Sequence, residues 1–310
     1  MGGGEVLTPA RGRTPRVDHH QHLFSPAVVQ LLAPHPPLAI SAADLVALLD
    51  AAGIRRALVL SVAYLFGSPA LTVDDEYAAV RRENDWTLAQ VDLGPQRLRA
   101  FCSFNPLRPY ALEELERCAS RHHGLKLHLG NSDVQLDDPD HVRHLQRVFA
   151  GANRSGMPVV VHLRANIRNH RPYGESEART FIEEVLPAAP DVAVQIAHLA
   201  GTGPGYDDPP ADRALDGFVR AIDDSDARAR RLWFDVAALA TETMSRAEVE
   251  RMVERIRQIG VDRVLFGSDA ASGGNLPPRE AWTAFARLPL TAEELAAVAQ
   301  NVAPYAAWGG

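Results

Sequence analysis

Lysine is all but missing from this 310-residue chain: of 32 basic residues only Lys126 is a lysine, and the remaining 31 are arginines. An arginine bias of this strength can follow from genome base composition, and it means that arginine serves wherever only charge or solubility matters. Arginine does not lose its proton in a protein, whereas lysine can become neutral, act as a nucleophile or react with carbon dioxide. The lone lysine therefore points to lysine-specific chemistry, provided it falls in a site. Cysteine is scarce too. Cys102 and Cys118 are too few for a disulfide framework in a domain this large, which predicts reduced thiols in a cytosolic compartment. Cys118 falls in the helical pattern ALEELERCAS and reads as core packing. No run of basic residues appears, and a formal net charge of −7 with a pI near 5.9 excludes a nucleic-acid footprint, which needs clustered cations. No apolar stretch reaches the length of a membrane span. MGGGEVLTPARGRTPR lacks the apolar segment of a signal peptide and predicts a short disordered leader over residues 1–15. Small molecules remain as the partner class, with a homo-oligomer left open.

What the chain does have is alternation. Eight short apolar or β-branched runs recur with helical patterns between them: VDHHQH from Val17, RRALVLSVAY from Arg55, RLRAFCSFNP from Arg97, GLKLHLG from Gly124, PVVVHLR from Pro158, VAVQIAHLA from Val192, LWFDVAAL from Leu232 and RVLFGSDA from Arg263. Eight such units predict a single (β/α)8 TIM barrel over residues 16–310 rather than an open doubly wound sheet. The helices carry ordinary start and stop signals. Ser41 caps a segment ended by Gly53, Ser245 caps one whose stripe of Val249, Met252, Val253, Ile256 and Ile259 ends at Gly260, and Thr291 begins the last. Two long polar connections, RANIRNHRPYGESEA and AGTGPGYDDPPAD, follow the fifth and sixth strands, where a barrel builds its site.

Side chains alternate across a strand, so His20 and His22 project together into the barrel, with Asp18 on the same face as a candidate acceptor for one of the imidazoles. Two inward imidazoles one residue apart form a chelate for a metal ion. His162 ends the fifth run, His198 the sixth and Asp269 the eighth; each singly can be structural, but all strand ends of a barrel open onto one bowl. In GLKLHLG the parity places Lys126 and His128 inward. An uncompensated ammonium beside a divalent ion is unfavourable, so Lys126 is either carboxylated to a bridging anion, paired with Asp269 or Asp18, or a hydrogen-bond donor to substrate.

His-x-His on the first strand, Lys on the fourth, His on the fifth and sixth and Asp on the eighth resemble the amidohydrolase superfamily, and IAHLAG and FGSD resemble its amidohydrolase-2 branch, from about Val17 to Asn301. The resemblance implies one or two divalent metals bound by His20, His22, Lys126, His162, His198 and Asp269, with Asp269 also handling the proton of an attacking water. Zinc leads among the metals, with manganese, iron or nickel as alternatives. In the mononuclear variant of the branch His20, His22, His162 and Asp269 hold one ion, His198 acts on substrate and Lys126 stands by. The expected activity is hydrolysis of an amide, ester or lactone in a small acidic substrate, with Asp269 as base and His198 assisting. Arg164 and Arg168 are the candidate partners of a substrate carboxylate, and Tyr64 and His128 candidate pocket residues. Tyr64, Asn105 and Asp235 stand at strand ends. The alternatives are a metal-dependent nonoxidative decarboxylase of an aromatic or unsaturated acid and a metal-free lactonase.

Overall fold

Each of the eight apolar runs forms a strand, and each strand pairs in parallel with the next in chain order. In the computed structural model, which describes residues 14–35, 37–271 and 274–308, the strands are β1 (Val17–Gln21), β2 (Arg56–Leu60), β3 (Leu98–Ser103), β4 (Gly124–His128), β5 (Val159–His162), β6 (Val194–Ile196), β7 (Leu232–Asp235) and β8 (Val264–Leu265). The leader expected over residues 1–15 lies, up to residue 13, outside the described residues. Helices α1 (Pro26–Leu31), α2 (Ala42–Ala52), α3 (Glu76–Val91), α4 (Ala111–Ala119), α5 (Pro139–Arg154), α6 (Glu175–Thr180), α7 (Pro209–Asp223), α8 (Arg246–Ile259), α9 (Pro278–Phe285) and α10 (Ala292–Gln300) fill the connections. The last strand meets the first through backbone bonds: the His19 N–H donates to Phe266 O (2.9 Å) and the Asp269 N–H to His20 O (2.8 Å). The fold is a (β/α)8 barrel.

The local signals act as the sequence leads one to expect. Ser41 with Asp44, Ser245 with Glu248 and Thr291 with Glu294 form reciprocal capping boxes at α2, α8 and α10. Gly53 ends α2 in the left-handed conformation (φ 70°).

Strand parity divides two apolar layers. Ala57 and Val59, Ala100 and Cys102, Leu125 and Leu127, Val159 and Val161 face the helices. Leu58, Leu60, Phe101, Val160 and Leu265 point into the barrel and pack with Ala303 and Ala306 of the C-terminal segment. Full burial of a Leu or Phe contributes roughly 1.5–3 kcal/mol, so this plug gives the residues above it a rigid floor. Gly124 makes room for it, because a Cβ there would lie 2.2 Å from Phe101 Cε1. Above the floor the inward positions turn polar: His20, Lys126, Gln195 and Asp235 are buried.

Two strands end sooner than their apolar runs. β6 stops at Ile196 and β8 at Leu265, so His198 and Asp269 sit just past the sheet. Both have left-handed backbones (φ 53° and 52°), as do Leu199 and Ala200. Such conformations cost a residue with a Cβ roughly 1–3 kcal/mol and persist only where surrounding contacts impose them.

Candidate metal centre and substrate cavity

A cavity of ≈ 780 Å³ opens at the C-terminal end of the barrel, and His20, His22, Tyr64, Lys126, His128, His162, Arg164, Arg168, His198 and Asp269 all line it. At its base three imidazoles are oriented by the atoms behind them. The His22 Nδ1–H donates to Leu60 O at 2.6 Å, and the His198 Nδ1–H to Ala237 O at 2.8 Å. A carbonyl can only accept, so each ring carries its proton on Nδ1 and keeps a lone pair on Nε2. His20 is held in the same way by a carboxylate, with Nδ1 3.0 Å from Asp235 Oδ2. Burial drives the His22 pKa down to about 3, against the attraction of Asp269, and that of His198 down to about 4. Both rings are neutral, as metal ligands must be.

Asp235 organises this arrangement. Its Oδ2 accepts from His20 Nδ1 and from Gln195 Nε2 (2.5 Å), and its Oδ1 accepts from the backbone N–H groups of His198 (2.9 Å) and Ala237 (3.1 Å). Burial opposes its charge, but His20, His198 and these hydrogen bonds outweigh that penalty and hold the carboxyl below the usual range. One carboxylate thus fixes a ring and also holds the strained turn that carries another. Asp18, the expected acceptor, has a different task. It takes hydrogen bonds from the His20 N–H, Gln21 Nε2 and both the N–H and Oγ of Ser268, which ties β1 to the end of β8 instead of orienting an imidazole. Burial raises its pKa to about 6.

His20, His22 and Asp269 place one donor atom each within 4.8 Å of one another, and so do His20, His198 and Asp235. Asp269 Oδ1 lies 3.5 Å from His22 Nε2, while its Oδ2 accepts from Asn275 Nδ2 at 3.0 Å. Two neutral imidazoles and a carboxylate, with a third imidazole alongside and a cavity in front, fit a divalent ion with open coordination positions. His162 belongs to neither group. Its ring stacks on His128 (centroids 3.9 Å apart, planes 14°), and its centroid is 5.1 Å from that of His198. Lys126 Nζ is 3.4 Å from His20 Nε2. Burial lowers its pKa to about 8, with Asp235 and Asp269 acting the other way. Asp18 is engaged instead by Gln21 and Ser268.

The chain matches the amidohydrolase family model over residues 17–303. It belongs to the amidohydrolase family. As an enzyme of that family it is similar in structure to a 5-carboxyvanillate decarboxylase from Sphingomonas paucimobilis (TM-score 0.66, 18% identity, 92% of this chain and 96% of that one covered). It is similar also to a dihydroxybenzoic acid decarboxylase from a Polaromonas species with bound manganese and 2-nitroresorcinol (TM-score 0.61, 15%, 93% and 95%). A third likeness is to a probable 2-pyrone-4,6-dicarboxylic acid hydrolase from Acinetobacter baumannii with citric acid bound (TM-score 0.57, 16%, 91% and 95%). At these identities the likeness is one of fold. No curated protein matches the chain in sequence.

The cavity wall of this amidohydrolase carries its cations on one side. Arg164 is buried, its Nε donating to Asp208 Oδ2 at 2.8 Å and its guanidinium lying over the Tyr173 ring at 4.8 Å. That clasp joins the two long polar loops, which meet again where the Tyr173 hydroxyl donates to Ala200 O. Arg168 is exposed at the rim. Tyr64 packs against His128 with centroids 4.8 Å apart, and burial pushes its hydroxyl pKa up. Asn275 and Asp208 have no signal in the sequence that singles them out, and Asp235 had only its place at a strand end.

Proposed function

We propose that this amidohydrolase is a metal-dependent nonoxidative decarboxylase of a small aromatic or unsaturated carboxylic acid. The observation that carries the reading is that the donors converge on one point. His20, His22 and Asp269 gather at the cavity, Asp235 of the second group is engaged behind His20 through Nδ1, His162 stacks on His128, and Lys126 lies against His20 Nε2. A carboxylated lysine bridging two ions, the arrangement suited to generating hydroxide for hydrolysis, has less support than a single ion. Two of the similar structures are decarboxylases of hydroxylated aromatic acids, one with manganese, which adds weight to decarboxylation and makes manganese at least as good a candidate as zinc.

His20, His22 and Asp269 would hold the ion, with His198 completing or flanking the set. Bound there, a divalent ion supplies positive charge that anchors an anionic substrate and stabilises negative charge developing on it. The protein's own groups do the rest. Arg164 binds and orients a substrate carboxylate or phenolate through the guanidinium face that Asp208 leaves open. The stacked pair His128 and His162, with the Tyr64 ring tilted 45° against it, forms an aromatic wall for a substrate ring. A proton held on the Asp269 carboxyl passes to the ring carbon as the bond from that carbon to the carboxylate breaks, and carbon dioxide departs. Asn275, donating to Oδ2, fixes the carboxyl so that Oδ1 faces the substrate.

Hydrolysis of an amide, ester or lactone is the second reading, favoured by the depressed lysine at the cavity base and by the likeness to a pyrone hydrolase. A metal-free lactonase fits the three oriented Nε2 lone pairs less well. The deciding experiment incubates metal-loaded enzyme with a panel of hydroxylated aromatic acids and with esters and lactones of matching size. Headspace carbon dioxide in step with loss of the acid, abolished by chelation and restored by manganese or zinc, supports decarboxylation. Turnover confined to the ester and lactone arm refutes it.

A further inference from the structure

A second donor cluster lies outside the cavity. Strand parity turns Cys102 of β3 outward, into the layer between barrel and helices, where α4 turns in Ala111, Glu114, Leu115 and Cys118. His122, in the turn between α4 and β4, closes the group. Cys102, Cys118 and His122 each place one donor atom within 4.8 Å of the others, and all three are buried. The histidine repeats the arrangement seen at the cavity base. Its Nε2–H donates to Asn84 O at 3.3 Å, which leaves the lone pair on Nδ1, and that atom is buried with no hydrogen-bond partner among the described residues. Packing explains two sulfurs in a core. It does not explain an imidazole lone pair buried beside them without a donor among the described residues, which is unfavourable in a folded protein.

We propose that Cys102, Cys118 and His122 form a structural site for a thiophilic divalent cation of the zinc class, separate from the catalytic centre. Two thiolates and one neutral imidazole are a donor set that such ions prefer over oxygen-seeking ones. Zinc bonds of about 2.3 Å to sulfur and 2.0 Å to nitrogen require donor separations somewhat under 4 Å, so the three donors, now within 4.8 Å of one another, would draw together on binding. Charge balances: the ion enters as two thiol protons leave, so the buried group stays neutral. The adjacent Glu114 is already neutralised by Arg117 (2.7 Å). Its Oε1, 3.7 Å from Cys118 Sγ, already accepts from Asn84 Nδ2 (2.7 Å) and Arg117 (2.8 Å), so the proposed protein donors are the two thiolates and the imidazole.

The chain has only these two cysteines, so any thiolate-to-metal charge-transfer absorption reports on this site alone, whatever occupies the imidazole and carboxylate centre. Cadmium is the probe, supplied under reducing conditions to the full-length protein both when folded and during refolding. The expected result is an ultraviolet thiolate–cadmium band that saturates at one ion per site. It disappears in Cys118→Ser and weakens, with affinity reduced at least about tenfold, in His122→Ala, which keeps both thiols. Should a variant fail to fold, the wild-type titration decides. A folded wild-type protein with no band overturns the proposal. Counting thiols after unfolding then distinguishes inert packing, with two free thiols, from a disulfide, with none.

Discussion

Asp235 is the residue on which the centre depends most, and Asp235→Asn is the substitution that tests it. The carboxylate accepts four hydrogen bonds: His20 Nδ1 at 3.0 Å, Gln195 Nε2 at 2.5 Å, and the N–H groups of His198 and Ala237 at 2.9 and 3.1 Å. An asparagine retains one acceptor oxygen. If it faces the two backbone donors, its amide NH2 meets His20 and Gln195, and His20 can accept that hydrogen only by moving its own proton to Nε2. The nitrogen that should bind the ion then carries a hydrogen. If the amide is reversed, the N–H groups of His198 and Ala237 both lose their acceptor. Loss of a partner behind a metal-bound histidine costs about 10–100-fold in affinity, or roughly 1.4–2.7 kcal/mol. Competition with a chelator of known affinity, on apo protein loaded with manganese or zinc, measures it. Circular dichroism and melting of the apo protein check that the barrel persists. An Asp235→Asn protein that binds metal as tightly as wild type would refute the claim that this carboxylate sets the His20 tautomer.

Lys126→Ala should leave bound metal at one equivalent while lowering turnover; elemental analysis beside the wild type checks it, and a fall from two equivalents to one or none would restore the bridged pair. Gly267→Ala places a Cβ 2.8 Å from His20 Cβ and 3.1 Å from that of Ala237. It should weaken metal binding about tenfold or more with a smaller change in melting temperature, as the His20 ring is pushed out of position. Glu83, buried in α3, accepts from Ser25 Oγ at 2.6 Å through Oε2 while Oε1 has no partner among the described residues, and burial raises its pKa from 4.5 to about 7. Between those values the unfolded chain has released a proton that the folded chain keeps, so this group's contribution to stability falls as pH rises from 4.5 through 7 and then levels off. Glu83→Gln removes that loss: denaturant melts at pH 5 and pH 8 should show the variant gaining on wild type at the higher pH by up to about 3 kcal/mol. An equal difference at the two pH values would refute it.

Periodicity and local chemistry are short-range properties, and these the sequence determined. The eight runs became eight strands in order, the capping boxes formed where Ser41, Ser245 and Thr291 stand, and alternation alone turned His20, His22, Lys126 and His128 inward. Barrel closure brings every strand end to one mouth, so the whole set of candidate residues reached one cavity. Tertiary structure decided what each residue does there. His162 stacks on His128 because the register of β4 against β5 pairs the two histidines. Asp235 rather than Asp18 came to hold His20 because β7 delivers its last residue beside β1's ring across the barrel, while the end of β8 had already claimed Asp18. His198 and Asp269 acquired left-handed turns, Asn275 reached Asp269, and Asp208 reached Arg164 across two loops. The contacts of Asp235 with His20, of Ser268 with Asp18 and of Asp208 with Arg164 join segments far apart in the chain. No short-range pattern encodes such a contact, because its energy exists only once the barrel has closed.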